Sequence, residues 1–237
     1  MNTFEQQVKA VLEANKGQRI TSFEFEGNRY WLKQTEKLQG VEHFLKPFPQ
    51  KALQREIEQL TYLNKHSVST AKLIMTGEDY FVTNDVGRSI SSLINDKDIT
   101  PEKTQFLVTL AATELQKIHQ QGFVHGRPAV RDITLLEDKI YFIDFENKVS
   151  NKALEHRQVR DLLIFIHSLY REKLSQQCVE QAVESYVQAG GNEIWKATID
   201  YIKNKRWLYW LLSPFKPIAR TDLIAAFCIF EYILNIK

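Results

Sequence analysis

Asp144 is the residue most committed to chemistry by its setting. It stands in Tyr141-Phe142-Ile143-Asp144-Phe145-Glu146, directly after three apolar residues of strand type. A carboxylate emerging from a buried strand is costly unless it is paired or bound to a metal, so a ligand role is the preferred reading. Lys33 closes Tyr30-Trp31-Leu32-Lys33, where a strand would hold its stem. On its own a lysine at a strand end is ordinary surface. Glu56, in Arg55-Glu56-Ile57-Glu58, sits in a helical pattern and could orient a lysine ammonium through a charge-assisted bond. With Glu58 it suits a solvated helix face equally well. His125 in Val124-His125-Gly126 reads as a loop histidine bonded to backbone. Arg127, permanently cationic, could contact a phosphate or pair with Asp144, and Arg131 carries the same ambiguity.

These residues need elements to hold them. Met1 to Lys16 reads as an amphipathic helix through Phe4, Val8, Val11 and Leu12. Residues 19–26 and 29–33 are two β-prone runs joined at Gly27-Asn28, a hairpin signal. Residues 36–50 carry the breakers Gly40, Pro47 and Pro49, and Lys51 to Lys65 then places Leu53, Ile57, Leu60 and Leu63 at helical spacing. Strands are expected at 71–76 and 80–83. Asp85-Val86-Gly87-Arg88 reads as a connector. Thr100-Pro101-Glu102 opens a helix with a hydroxyl cap, a proline at the first position and an acid in the first turn, and Gly122 closes it. A hairpin at 133–136 and 140–143 follows, and helices occupy the rest. The expected fold is α+β and two-lobed, with an N-lobe over 1–84, a helical C-lobe over 85–237 and a cleft near Asn84–Gly87.

The order of these pieces resembles the protein-kinase-like superfamily over about residues 19–171. Lys33 matches the lysine ending the third kinase strand, and Glu56 the helix glutamate that pairs with it. Val-His125-Gly126 and Ile143-Asp144-Phe145-Glu146 match the catalytic loop and the metal-binding Asp-Phe-Gly segment. The resemblance implies ATP and Mg²⁺ as cofactors. It makes Lys33 and Glu56 nucleotide-binding residues, with Asp85 and Val86 beside them at the cleft, and Asp132 and Asp144 the metal ligands. Asp161, in Val159-Arg160-Asp161, would brace the catalytic loop through backbone bonds. In the His-x-Asp-x-x-x-x-Asn pattern, however, Arg127 occupies the place of the catalytic base and Asp132 that of the asparagine. Arg127 cannot take a proton; Asp132 keeps a metal-ligand role and is the candidate to double as base. No Gly-x-Gly-x-x-Gly precedes Lys33, and no Ala-Pro-Glu follows Asp144, which excludes a typical eukaryotic protein kinase.

Compact length, the His-Gly pair and Ile-Asp-Phe-Glu look most like small bacterial lipopolysaccharide kinases acting on Kdo or heptose. That resemblance implies a phosphotransferase using a small-molecule or lipid-linked sugar acceptor. The alternative is a pseudokinase, a binding or scaffold module retired by the change at Arg127.

Composition agrees with a globular protein. Among 237 residues, 31 Lys or Arg face 29 Asp or Glu, a formal charge of +2 that argues against a nucleic-acid coat. Cys178 and Cys228 are too few for a disulfide framework or a four-cysteine zinc site. With no export signal and no long apolar run, a cytoplasmic setting is expected. Residues 203–215 join a basic cluster to Trp207, Tyr209 and Trp210. That mix suits peripheral contact with the inner face of the cell membrane, although packing on the helical lobe is the preferred reading.

Overall fold

The computed structural model describes residues 3–35, 49–145 and 152–236. The expected irregular segment falls almost wholly outside these residues, as does Glu146. The chain divides into two compact units, Met1–Val86 and Gly87–Lys237.

The first unit is a four-stranded antiparallel sheet with helices on it. Helix α1 (Phe4–Ala14) is opened by Thr3, whose hydroxyl accepts the Gln6 N–H while the Gln6 side chain accepts from Thr3, a capping box. Strands β1 (Ile20–Phe25) and β2 (Asn28–Gln34) pair with Phe25 opposite Asn28. The hairpin turn is therefore Glu26-Gly27, one residue earlier than the Gly-Asn pair suggested. Both turn residues have positive φ, 50° and 77°, as a two-residue type I′ connection requires. Helix α2 (Pro49–Lys65), β3 (Leu73–Thr76) and β4 (Tyr80–Asn84) complete the unit, in sheet order β1-β2-β4-β3. Val8 of α1 packs with Phe23, Leu32 and Val82. Leu53 and Ile57 of α2 pack with Phe81. Because neighbours on a strand point to opposite faces, Val82 and Phe81 serve separate clusters.

The second unit begins with β5 (Arg88–Ser89), which starts at the last residue of the stretch read as a connector, and the short α3 (Ile90–Ile94) follows it. β5 pairs with β6 (Ile133–Leu136), which pairs with β7 (Lys139–Phe142). A two-residue strand has no periodicity to detect. Gly87, at φ 84°, makes this pairing feasible: a Cβ there would collide with the Leu135 carbonyl. Helix α4 (Pro101–Gln120) starts as expected, with the Thr100 hydroxyl accepting the Lys103 N–H at 3.2 Å. Helix α5 (Leu154–Arg171), α6 (Gln176–Tyr186), α7 (Asn192–Asn204), α8 (Arg206–Leu212) and α9 (Thr221–Leu234) form the helical body. Leu107, Leu115, Leu162, Ile166 and Tyr186 lie at its centre, at 1 % exposure or less.

The preferred reading of residues 203–215 is corrected. Tyr209 does pack inward, its ring 5.7 Å from Phe227 and 5.8 Å from Phe230. Trp207, Trp210, Leu211 and Phe215 are exposed. The helix behind them, α9, closes the core as expected through Ala225, Phe227, Phe230 and Ile233.

Candidate active site

In the first unit, strand alternation aims Lys33. Leu32 is fully buried in the cluster beneath α1, so Lys33 turns to the opposite face, where it is paired in register with Phe81. Its ammonium lies 5.8 Å from the Phe81 ring centroid. Phe81 packs on Leu53 and Ile57 of α2, and Glu56 lies next to Ile57 in that helix. Lys33 Nζ donates to Glu56 Oε1 in an ion pair whose side chains are 14 % and 32 % exposed. The apolar contact of α2 on the sheet thus sets the distance between two charged groups.

At the end of this unit, Asp85 Oδ1 accepts from the Trp31 indole at 2.7 Å, and the Asp85 N–H donates to the Arg29 carbonyl at 3.0 Å. The Val86 side chain is buried. The Asp85 carboxylate is thus held by a residue of its own unit.

The second unit holds the loop residues. Asp161, buried on α5, accepts the N–H of His125 at 2.6 Å and that of Gly126 at 3.0 Å. The Arg127 N–H donates to His125 Nδ1 at 3.2 Å, so the ring proton sits on Nε2, which donates to the Ile143 carbonyl at 2.8 Å. The loop is thereby tied to α5 on one side and to the residue before Asp144 on the other. Burial pushes the His125 imidazole below its ordinary value, against the bond to Ile143 and the Asp161, Asp132 and Asp144 carboxylates.

Asp132 ends a 3₁₀ turn (Val130–Asp132), its N–H donating to Ala129 O and its carbonyl accepting from Ile143 N–H at 2.9 Å. That last bond ties the backbone of Asp132 to the residue preceding Asp144. Asp132 is buried, and its Oδ2 has no hydrogen-bond partner among the described residues. Arg131 Nε and Arg127 Nη2 stand 3.5 and 3.7 Å from that oxygen, too far for short bonds. Arg127 therefore faces Asp132, where the sequence suggested Asp144. Burial raises the Asp132 carboxyl above the usual carboxylate range; Arg131 and Arg127 oppose the rise, and Asp144 adds to it. Asp144 itself is exposed at φ 58°, a left-handed conformation that Asp tolerates better than most residues.

Beside this loop lies a pocket of about 470 Å³ lined by Ser91, Arg127, Arg131, His167, Arg171 and Glu172, among others. Glu172 accepts from Ser91 at 2.6 Å and from Asn95 at 2.9 Å. Arg171 pairs with Asp222 at 3.0 Å, and His167 bonds the Asp222 carbonyl at 2.9 Å. Sequence reasoning missed this pocket and gave His167 no role. The available signal was a stripe on α5, Ile164, His167, Ser168 and Arg171, at i, i+3, i+4 and i+7.

No family model matches the chain. A chain of the solved structure described as WaaP in complex with acyl carrier protein covers 92 % of this chain and 95 % of its own length, with a TM-score of 0.51 and 14 % identity. At that identity the likeness is one of fold, and the mixed α+β architecture is the kinase-like one. A probable bifunctional tRNA threonylcarbamoyladenosine biosynthesis protein of Natronomonas pharaonis is 33 % identical over 86 residues, 36 % of this chain and 16 % of that protein. An uncharacterised protein of Haemophilus influenzae is 35 % identical over 232 residues, 98 % of this chain and 96 % of that protein. With nearly the whole of both sequences aligned, the chain belongs to the same family as that Haemophilus influenzae protein.

Proposed function

We propose that the chain is an ATP- and Mg²⁺-dependent phosphotransferase that phosphorylates a sugar hydroxyl of the lipopolysaccharide core or another small hydroxylated acceptor. The observation that supports it is the buried Oδ2 of Asp132, without a hydrogen-bond partner among the described residues, with Asp144 close enough to raise its proton affinity. Among the described residues no group of three or more His, Cys, Asp or Glu could hold a metal by itself. Mg²⁺ is commonly held by one or two carboxylates, with phosphate oxygens and water completing its shell. Asp132 and Asp144 suit a metal that arrives with its nucleotide.

Bound ATP and Mg²⁺ supply a γ-phosphoryl group whose charge is partly neutralised. Lys33, oriented by Glu56, holds phosphate oxygens. Val86 offers backbone to the base, and Asp85, whose N–H is held by the Arg29 carbonyl and whose carboxylate is held by the Trp31 indole, fixes the chain beside it. Arg127, Arg131 and Arg171 hold the acceptor in the pocket beside the loop. The acceptor oxygen bonds to the γ-phosphorus as the bond to the β–γ bridging oxygen breaks and ADP leaves. The hydroxyl proton passes to Asp132, whose burial makes it a stronger base than an ordinary carboxylate. This chemistry sets the protein in the cytoplasm. A protein partner is also in view, since WaaP was solved with acyl carrier protein.

A second reading, a pseudokinase acting as a binding module, is favoured by the two guanidiniums converging on Asp132. Calorimetric titration with ATP, with and without Mg²⁺, separates the two when run beside Asp144→Asn. Metal-dependent binding that the variant loses supports the enzyme. Absence of binding under both conditions leaves the pseudokinase.

A further inference from the structure

The stretch from Lys203 to Arg220 holds five cations, Lys203, Lys205, Arg206, Lys216 and Arg220, and no carboxylate, in a chain whose net charge is only +2. All five are exposed. Between them the structure turns apolar side chains outward. On α8, Trp207, Trp210 and Leu211 fall at i, i+3 and i+4, one face of a helix, and are 56 %, 70 % and 60 % exposed. The 3₁₀ segment that follows (Ser213–Ile218) adds Phe215 and Ile218, again three apart and so aligned in that helix type; they are 52 % and 76 % exposed.

This orientation is fixed from behind. Tyr209 packs on Phe227 and Phe230, and its hydroxyl donates to Glu231 at 3.1 Å. Lys216 pairs with the same Glu231 oxygen at 2.5 Å. The 3₁₀ segment and α8 are thus pinned to α9 with their apolar face turned away from the core.

We infer that residues 203–220 form a docking surface for an anionic lipid bilayer. Large contiguous apolar exposure marks an interaction site, and the rim chemistry identifies the occupant. Protein interfaces are depleted in lysine, whereas three of these five cations are lysines. Tryptophan beside Lys and Arg is the composition of the bilayer interface, where rings sit at headgroup depth and cations meet anionic lipid. Trp210 and Ile218 are the most exposed of these apolar side chains. Among the described residues no helix is long and apolar enough to cross a membrane, so contact is peripheral. The inference stands apart from phosphoryl transfer and needs no activity to test it.

The test is co-sedimentation of the full chain with phosphatidylcholine vesicles, with and without phosphatidylglycerol, beside tryptophan emission. Two variants accompany it: Trp210→Ser/Leu211→Ser and Lys205→Glu/Arg206→Glu. All four positions are exposed, and circular dichroism melts verify that the fold is kept. The expected result is binding to the anionic vesicles with a blue shift in emission. Each variant should lower partitioning by about tenfold or more, the charge reversal only on anionic lipid. Wild-type protein that ignores anionic vesicles overturns the inference, as does binding that both variants retain. Self-association of the wild type, abolished by Trp210→Ser/Leu211→Ser without vesicle binding, also overturns it and assigns the face to a second copy.

Discussion

Asp161, midway along α5, accepts the backbone N–H groups of both His125 and Gly126. One buried carboxylate so fixes two consecutive peptide groups some 35 residues earlier in the chain. Its removal leaves the His125 and Gly126 N–H groups without the acceptor that holds them. Asp161→Ala should therefore lower the unfolding free energy by about 3 kcal/mol, measured by urea denaturation. Asp161→Asn keeps one acceptor and should lose less. A change under about 1 kcal/mol for the alanine variant would mean that the loop is held by other contacts.

His125 makes stability depend on pH. Its folded pKa lies below the unfolded value of about 6.5, because burial disfavours the imidazolium. The unfolded chain then binds the proton more readily. Stability is full above about pH 6.5 and falls as pH drops from there toward the folded pKa. Asp132 works the other way: its folded pKa is raised, so its cost sets in as pH rises through the unfolded carboxylate value of about 3.9 and is complete above the folded one. Between pH 7 and pH 5 the histidine should make the urea midpoint fall. His125→Gln should be less stable at pH 7 yet show a flatter dependence. Equal slopes for the two proteins would remove His125 from the account.

The Lys33 and Glu56 side chains are 14 % and 32 % exposed, and a glutamine at 56 keeps a side-chain oxygen that accepts from the ammonium. Glu56→Gln should shift the unfolding free energy by less than about 1 kcal/mol. It should weaken ATP binding by about tenfold, because the ammonium loses a charge-assisted partner that orients it. Melting curves and calorimetry on one preparation read both effects. A large loss of stability with unchanged ATP affinity would make the pair structural.

What the sequence made legible follows from periodicity and caps. Thr100-Pro101 and Gly122 bounded α4 because capping is local chemistry, and Leu53, Ile57 and Leu60 displayed the buried face of α2 directly. The brace from Asp161 to the catalytic loop was read from a family resemblance and is present as bonds. Other features were hidden because they are tertiary. β5 exists only through pairing with β6. Arg127 turns to Asp132 because the 3₁₀ turn at Val130–Asp132 brings that carboxylate beneath the loop. Arg171 and His167 become pocket residues only when α5 lies under the segment 127–131. The composition of 203–215 allowed two readings, and the packing of Tyr209, with the Lys216–Glu231 pair, decided which side chains face out.

Arg127 offers the sharpest test of the proposed chemistry. Its guanidinium, with that of Arg131, opposes the rise in Asp132's proton affinity caused by burial. Asp132 must be ionised to accept the acceptor's proton, so its pKa in the free enzyme enters the acid limb of the pH dependence of kcat/KM. Arg127→Ala removes one of the two opposing cations and should move that limb to higher pH, with a larger loss of kcat/KM at pH 6 than at pH 8. The comparison of limbs, wild type against variant, isolates this effect from any loss of acceptor binding, which would lower the whole profile. A limb that stays in place would take the base role away from Asp132.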